Sequence, residues 1–224
     1  MHHFSSRPNG FKSAGKYAEK RRVGYVEDLP GGLAEPMQGS QTGKLGQDKA
    51  ESTKEPAPKK SEEVLVGLAD VVVRTGSVQF AFVGLGSCIG VVALDPKTDV
   101  SGAVHIMLPH SISGMLVDRL GKFADTGIQE LLRQMIEAGA QKDRICVAFA
   151  GGASVGTHEK PAYDIGARNL EAIRETLSAM GLPVVAADEG GTTGRTVRMF
   201  SSTGEVIVRT IKRGEAVLCS LRAA

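Results

Sequence analysis

Short apolar segments rich in valine and phenylalanine dominate the sequence after Val64, and each ends at glycine or at polar turn residues. EVLVGLADVVVRTG and SVQFAFVGL have the β-branched composition and the length of strands. The segments IGVVALD and VSGAVHIML flank Pro96, and a proline directly after Asp95 favours a turn between them. The sequence therefore predicts a domain built mainly of β-sheet, with a hairpin at Pro96.

Two longer segments, residues 123–138 and 166–181, instead place their apolar side chains at helical spacing, and both are ended by a glycine. The second lies between the strand-like segments ICVAFAGG and PVVAAD, which is the order of a parallel strand–helix–strand unit. The last segment, RTVRMFSSTGEVIVRTIKRGEAVLCSLR, alternates apolar and polar residues and turns at residues 202–205, as antiparallel strands do. We therefore expect a mixed α/β fold over residues 61–224.

Residues 1–60 differ in composition from the rest of the chain. They hold five of the nine prolines, and the stretch QTGKLGQDKAESTKEPAPKKSEE has almost no large apolar residue that could offset the entropy of ordering. We predict a disordered linker tail over residues 1–60, followed by the folded domain. Two interpretations fit KYAEKRRVGYVEDLP within the tail, a solvated linker and a short docking element, because the stretch combines two tyrosines with a basic cluster.

Charge and composition exclude several classes of function. A net charge of +2, an aromatic content of 4 % and the absence of tryptophan argue against a nucleic-acid partner. No apolar run approaches the roughly 20 residues of a membrane span, and the N-terminus lacks the apolar core of a secretory signal. We expect a cytoplasmic protein that does not insert into membranes. AGGASVG lacks the lysine and hydroxyl residue of a phosphate-binding loop, so no nucleotide site is expected.

The three cysteines have no CxxC spacing, which argues against a disulfide framework and against a zinc site. Cys146 lies within the apolar segment ICVAFA, and we expect both it and Cys219 to be core residues. His158, in the loop after AGGASVG, is expected to be solvated. Cys88, in the segment GLGSCIG, has two interpretations: a small buried residue of a tight turn, or a nucleophile held at the end of a strand.

A histidine can reach Cys88 across the predicted hairpin. A two-residue loop at residues 96–97 places Cys88 directly opposite His105, and registers shifted by two keep the pair on one face as diagonal neighbours. An imidazolium beside a thiol lowers the thiol pKa, and the histidine can later protonate a leaving group. Backbone N–H groups of the turn at Gly86, Ser87 and Cys88 could stabilise an oxyanion. The residues thus predict acyl-transfer chemistry, with no metal.

The same region resembles the chemoreceptor glutamine deamidases of the CheD family in several segments that follow one another in the same order. These segments are GLGSCIGVVALDPKTDVSGAVHIMLP, GKFADTGIQELL, AGGASV, IGARNLEAI and DEGGTTGRTV. The resemblance covers about residues 64–213. It implies a cysteine-hydrolase fold shared with bacterial deamidating toxins, in which mixed, largely antiparallel β-sheets pack as a sandwich with flanking helices.

The resemblance also implies a reaction: glutamine side chains on methyl-accepting chemotaxis receptors are hydrolysed to glutamate and ammonia through a cysteine thiolate and a thioester. The family nucleophile falls on Cys88 and the family histidine on His105, and the reaction needs no metal or organic cofactor. Some members are also credited with removing methyl esters from receptor glutamates. Many bind a CheC-type phosphatase, which connects them to receptor adaptation.

One position departs from the family pattern. Members carry a threonine six residues before the cysteine as the third active-site group, and this sequence has Phe82 there. Because phenylalanine has no donor or acceptor, His105 must be oriented by another group, such as a backbone carbonyl, or activity is weakened. Ser87 is the nearest hydroxyl in sequence. Three functions stay open: a receptor deamidase, a regulatory module that binds receptors and a CheC-type phosphatase, and a cysteine amidase with another substrate.

Overall fold

The computed structural model describes residues 62–112, 118–154 and 164–223. The predicted tail, its segment KYAEKRRVGYVEDLP and His158 lie outside these described residues. Within them, ten strands form two five-stranded sheets. The strands are β1 (Glu62–Leu65), β2 (Val71–Thr75), β3 (Val78–Leu85), β4 (Ile89–Asp95), β5 (Val100–Ile106), β6 (Cys146–Gly151), β7 (Val184–Glu189), β8 (Arg195–Phe200), β9 (Glu205–Thr210) and β10 (Gly214–Ser220).

The two sheets have the orders β1-β3-β8-β9-β10 and β2-β5-β4-β6-β7. Most neighbouring strands are antiparallel, and the parallel pairs are β1 with β3 and β6 with β7. The predicted antiparallel arrangement of the last segment is confirmed, because β8, β9 and β10 follow one another in the first sheet. The connections β4–β5, β8–β9 and β9–β10 join strands within one sheet, whereas the turns β2–β3 and β3–β4 pass from one sheet to the other.

Both predicted helices are present, as α1 (Ala124–Glu137) and α2 (Ile165–Ala179). The N-terminus of α2 is capped by Asp164, whose carboxylate accepts the Ala167 N–H at 3.0 Å. Because α2 connects the parallel strands β6 and β7, the predicted strand–helix–strand unit is confirmed. Of the described helices, none has the length and apolar character needed to cross a membrane.

Two hydrophobic clusters divide the described part of the chain into three layers. One cluster lies between the second sheet and the helices, with Ile128 and Met135 of α1 and Ile173 of α2 fully buried in it. The other lies between the two sheets and includes Phe80 and Phe82. The mixed, largely antiparallel sandwich with flanking helices that the sequence led us to expect is therefore confirmed.

The hairpin between β4 and β5 differs from the prediction in its loop length. Asp95 pairs with Val100, so the loop comprises residues 96–99 and the prediction of a two-residue loop is wrong. The Asp95 carboxylate accepts the Lys97 N–H at 3.0 Å, and Asp99 has a positive φ of 54°; both features close the longer loop. The pairing register consequently moves by two residues, which leaves each side chain on its expected face.

Candidate active site

Gly90, and not Cys88, is the residue paired with His105 in the β4–β5 ladder. Cys88 lies two residues before Gly90, just beyond the end of the ladder, and therefore on the same face. This face is turned towards the other sheet, since Cys88 packs against the cluster between the sheets and His105 contacts Phe82 of β3. The structure thus brings Cys88 and His105 to one face as diagonal neighbours.

Phe82 fills the space beside the imidazole of His105. Its side chain is fully buried, and its ring stands edge-on to the imidazole with the ring centroids 5.7 Å apart. Gly90 provides the room for this ring, because a Cβ at Gly90 would lie 2.9 Å from two of the ring carbons. An apolar ring therefore lies next to the histidine at the sequence position where the family resemblance implies a hydroxyl.

A backbone carbonyl orients the imidazole. Nδ1 of His105 lies 3.1 Å from the carbonyl oxygen of Val66, in the segment between β1 and β2. Because a carbonyl oxygen can only accept, Nδ1 carries the hydrogen and Nε2 is left with its lone pair. Nε2 is buried and has no hydrogen-bond partner among the described residues. His105 is therefore held in the tautomer that can accept a proton at Nε2.

Three consecutive carbonyl groups in the turn before β4 accept hydrogen bonds from the interior of the protein. The pairs are Ala153 N–H with the Gly86 carbonyl (2.8 Å), Asn169 Nδ2 with the Ser87 carbonyl (2.9 Å) and Gly152 N–H with the Cys88 carbonyl (3.1 Å). In a trans peptide the N–H points away from the C=O. The N–H groups of Ser87 and Cys88 therefore point away from these donors, and within the described part of the chain neither has a hydrogen-bond partner.

The segment 151–154, which supplies two of these donors, packs directly against the cysteine turn. Gly151 must be glycine, because its φ is 135° and a Cβ there would lie 2.1 Å from the carbonyl oxygen of Cys88. Its own carbonyl accepts the Gly190 N–H at 2.9 Å. The end of β6 and the loop after β7 thus pack together beneath the turn.

Burial shifts the pKa values of both candidate catalytic side chains. It raises the pKa of the Cys88 thiol. It lowers the pKa of His105, and this effect exceeds the opposite effects of the Val66 hydrogen bond and of the Asp70 carboxylate. At neutral pH the pair is therefore a neutral thiol and a neutral imidazole, so a thiolate would have to form by proton transfer.

The other two cysteines and the other histidine among the described residues, His110, lie away from this turn. Cys146 pairs with Leu94, at the end of β4 opposite to Cys88, and Cys219 lies on β10. Both are only partly buried and pack against the cluster between the sheets, so the expectation of core residues is met in part, and burial raises the pKa of each thiol. His110 is exposed.

Sequence reasoning missed two contributors to the site. No sequence pattern could identify the Val66 carbonyl, because every residue has a backbone carbonyl. Asn169 did leave a signal: it precedes Ile173 and Leu177 by four and eight residues, so an amide stands on the apolar face of α2. A buried amide at such a position needs partners, and its partners here are carbonyl groups near both candidate catalytic residues.

The described residues form a two-sheet sandwich with a cysteine and a histidine as diagonal neighbours on the face between the sheets, and a thiol with a base nearby is the arrangement that nucleophilic catalysis uses. The family model described as CheD chemotactic sensory transduction matches residues 107–210. A probable chemoreceptor glutamine deamidase CheD from Caldanaerobacter subterraneus subsp. tengcongensis is 40% identical over 156 residues, which cover 69% of this chain and 96% of the relative.

Two further relatives extend this comparison. A probable chemoreceptor glutamine deamidase CheD from Haloarcula marismortui is 39% identical, with 70% of this chain and 91% of the relative covered. The chemoreceptor glutamine deamidase CheD of Bacillus licheniformis is 36% identical, with 70% of this chain and 95% of the relative covered. The chain belongs to the CheD family, as the resemblance in its sequence implies.

Proposed function

We propose that this protein hydrolyses glutamine side chains of chemoreceptors to glutamate and ammonia, with Cys88 as nucleophile and His105 as general base and acid. The observation that carries the proposal is the common face of Cys88 and His105, beside a turn whose N–H groups are unpaired among the described residues. The names of the relatives, chemoreceptor glutamine deamidases, support the choice of substrate.

The reaction begins with a neutral pair. As the Cys88 sulfur attacks the amide carbon, the thiol proton passes to Nε2 of His105, whose lone pair is available because Nδ1 faces the Val66 carbonyl. The carbonyl oxygen of the substrate becomes an oxyanion. The N–H groups of Ser87 and Cys88 stabilise it, because the opposite ends of their peptide groups are fixed by hydrogen bonds.

The second half of the reaction releases both products. His105 returns the proton to the amide nitrogen, the carbon–nitrogen bond breaks and ammonia leaves, so that a thioester remains on Cys88. Water then gives a proton to Nε2 as its oxygen attacks the thioester, the carbon–sulfur bond breaks and the thiol is protonated again. A methyl ester of glutamate presents the same acyl group, with methanol as the leaving group, and would follow the same steps.

A second candidate function has one specific observation in its favour. Phe82 places an apolar ring beside His105, where the family pattern has a hydroxyl. Without that hydroxyl, catalysis by the imidazole would be slower. The protein would then act mainly as a regulatory module that binds receptors and a CheC-type phosphatase. This function predicts capture of such a phosphatase together with very weak deamidation.

Mass spectrometry of a receptor tests the first proposal. The full chain is incubated with a chemoreceptor cytoplasmic fragment, and each converted glutamine gains about 1 Da. Wild type and the control Cys146→Ala, which removes a thiol at the opposite end of β4, are expected to convert the same glutamines. Cys88→Ala is expected to convert none.

Equal conversion by wild type and Cys88→Ala would overturn the assignment of the nucleophile. No conversion by a folded wild type that captures the phosphatase would favour the regulatory module. No conversion by a wild type whose Cys88 still reacts with iodoacetamide, and that captures no phosphatase, would favour a cysteine amidase with another substrate.

A further inference from the structure

One side-chain amide on α2 joins the two strand ends that carry the candidate catalytic residues. Nδ2 of Asn169 donates to the carbonyl of Ser87 and to the carbonyl of Met107, at 2.9 Å in both cases. Ser87 directly precedes Cys88, and Met107 follows His105 by two residues. Since a side-chain amide has two N–H hydrogens, both are used in this connection.

The connection lies where the sheet itself stops holding the two strands together. The last pair of the β4–β5 ladder is Ile89 with Ile106. Cys88 and Met107 would form the next pair, but they stand outside the ladder. At this point, directly beyond the ladder, the buried side chain of Asn169 bridges the cysteine turn and the histidine strand.

The hydrogen bond to Ser87 also fixes the direction of the N–H of Cys88. The Ser87 carbonyl and the Cys88 N–H belong to one planar peptide group and point in opposite directions. When Asn169 holds the carbonyl towards α2, the N–H is directed away from α2. A rotation of this peptide would lose the hydrogen bond and would move the N–H away from a developing oxyanion.

Burial of Asn169 at this position is unfavourable for stability. Its side chain is fully buried, and among the described residues its Oδ1 has no hydrogen-bond partner. An unpaired buried acceptor costs stability, while an apolar residue would match Ile173 and Leu177 on the same helical face. The hydrogen bonds to Ser87 and Met107 are the contribution that offsets this cost.

We propose that Asn169 is a positioning residue for the deamidation: its amide holds the peptide between Ser87 and Cys88 so that the Cys88 N–H meets the oxyanion. The inference rests on the proposed function. It assigns Asn169 a role in the transition state, because the oxyanion does not exist in the bound substrate. Loss of the amide should therefore lower kcat and leave KM nearly unchanged.

The test compares Asn169→Ala and Asn169→Ser with Ile173→Val, a matched control that removes one methyl group from the same buried face of α2. Deamidation of the receptor fragment gives kcat and KM, and thermal unfolding gives Tm. We expect both Asn169 variants to lose about 100-fold or more in kcat, as removal of an oxyanion donor does, with KM within about threefold of wild type. Ile173→Val is expected to lower Tm and keep kcat.

Three results would overturn the inference. One is a kcat for the folded Asn169 variants within about threefold of the kcat of Ile173→Val. Another is an increase in KM with kcat unchanged. The third is that neither variant folds, which would assign Asn169 to the fold rather than to the reaction. A failure of the proposed function is distinct from these, because it would appear as a wild type with no deamidation or with deamidation that survives Cys88→Ala.

Discussion

The phenyl ring of Phe82 stands edge-on to the imidazole of His105, with an interplanar angle of 73°, while the Val66 carbonyl oxygen lies 3.1 Å from Nδ1 of the same imidazole. In the proposed mechanism the third group of the site is therefore a main-chain oxygen. On this account Phe82 packs against the histidine and contributes no hydrogen bond, and catalysis does not require a hydroxyl at position 82.

Phe82→Thr separates this account from the regulatory alternative. Because Phe82 is fully buried, its truncation should lower the free energy of unfolding by about 3 kcal/mol. We expect no gain in kcat, since the imidazole is already oriented by Val66. Urea unfolding and deamidation kinetics measure the two effects, with Phe82→Leu as the control that keeps an apolar side chain. A kcat that rises with threonine and not with leucine would support the regulatory alternative.

The raised pKa of Cys88 predicts slow alkylation at neutral pH. Iodoacetamide reacts with the thiolate, and burial shifts formation of the thiolate to a pH above that of an ordinary cysteine. In the Cys146→Ala/Cys219→Ala background, which leaves one cysteine, the alkylation rate should be low at pH 7 and should still be increasing above pH 9. A rate that reaches its plateau near neutral pH would instead indicate a preformed thiolate–imidazolium pair.

The lowered pKa of His105 sets the acid limit of the reaction. Protonated His105 cannot accept the thiol proton, so kcat/KM should fall as the pH decreases through the histidine pKa of the free enzyme. Burial places this pKa below the ordinary value, and the midpoint should lie below about pH 6.5. The pH profile of receptor deamidation measures it. A midpoint above pH 7 would contradict the neutral resting pair.

Asp95, at the end of β4 away from Cys88, makes the free energy of unfolding depend on pH. Burial alone would raise its pKa, but the Arg144 guanidinium and the N–H groups of Gln141 and Lys97 outweigh burial and hold the pKa well below its usual range. A carboxylate with a lowered folded-state pKa stabilises above its unfolded pKa, and this contribution disappears as the pH falls through the folded-state pKa.

Asp95→Asn should therefore lower the free energy of unfolding by about 2 kcal/mol at pH 7. The difference from wild type should shrink as the pH decreases below about 4. Urea unfolding between pH 3 and pH 7 measures this, and Glu171→Gln, on the exposed side of α2, is the control. If Asp95→Asn lowered the free energy of unfolding equally at pH 3 and pH 7, the charge of the Asp95 carboxylate would not contribute to stability.

The elements of the fold follow from local sequence signals, but the position of the cysteine relative to the histidine depends on a loop. The periodicities of α1 and of the strands are local properties, so they predict the layers well. The loop after Asp95 depends on a side-chain cap and on a positive φ at Asp99, and neither is visible in an apolar pattern. The shared face of Cys88 and His105 was predictable because a shift of two residues preserves it.

The surroundings of the site could not be predicted in this way, because they come from distant parts of the chain. Val66 contributes a main-chain atom, which no sequence pattern marks. Asn169 lies 81 residues after Cys88, and its partners become apparent only when α2 is placed against the ends of β4 and β5. Phe82 departs from the family pattern in the sequence itself, but the space that Gly90 leaves for its ring is apparent only in the structure.

Trapping of the acyl-enzyme tests the central claim most directly. Hydroxylamine competes with water for a thioester, so a glutamine that passes through an acyl-Cys88 intermediate should appear partly as a hydroxamate, about 16 Da heavier than glutamine, beside the glutamate product. We expect wild type to give both products on the same receptor glutamines and Cys88→Ala to give neither. Glutamate formed by wild type without any hydroxamate, or hydroxamate formed equally by Cys88→Ala, would contradict the account.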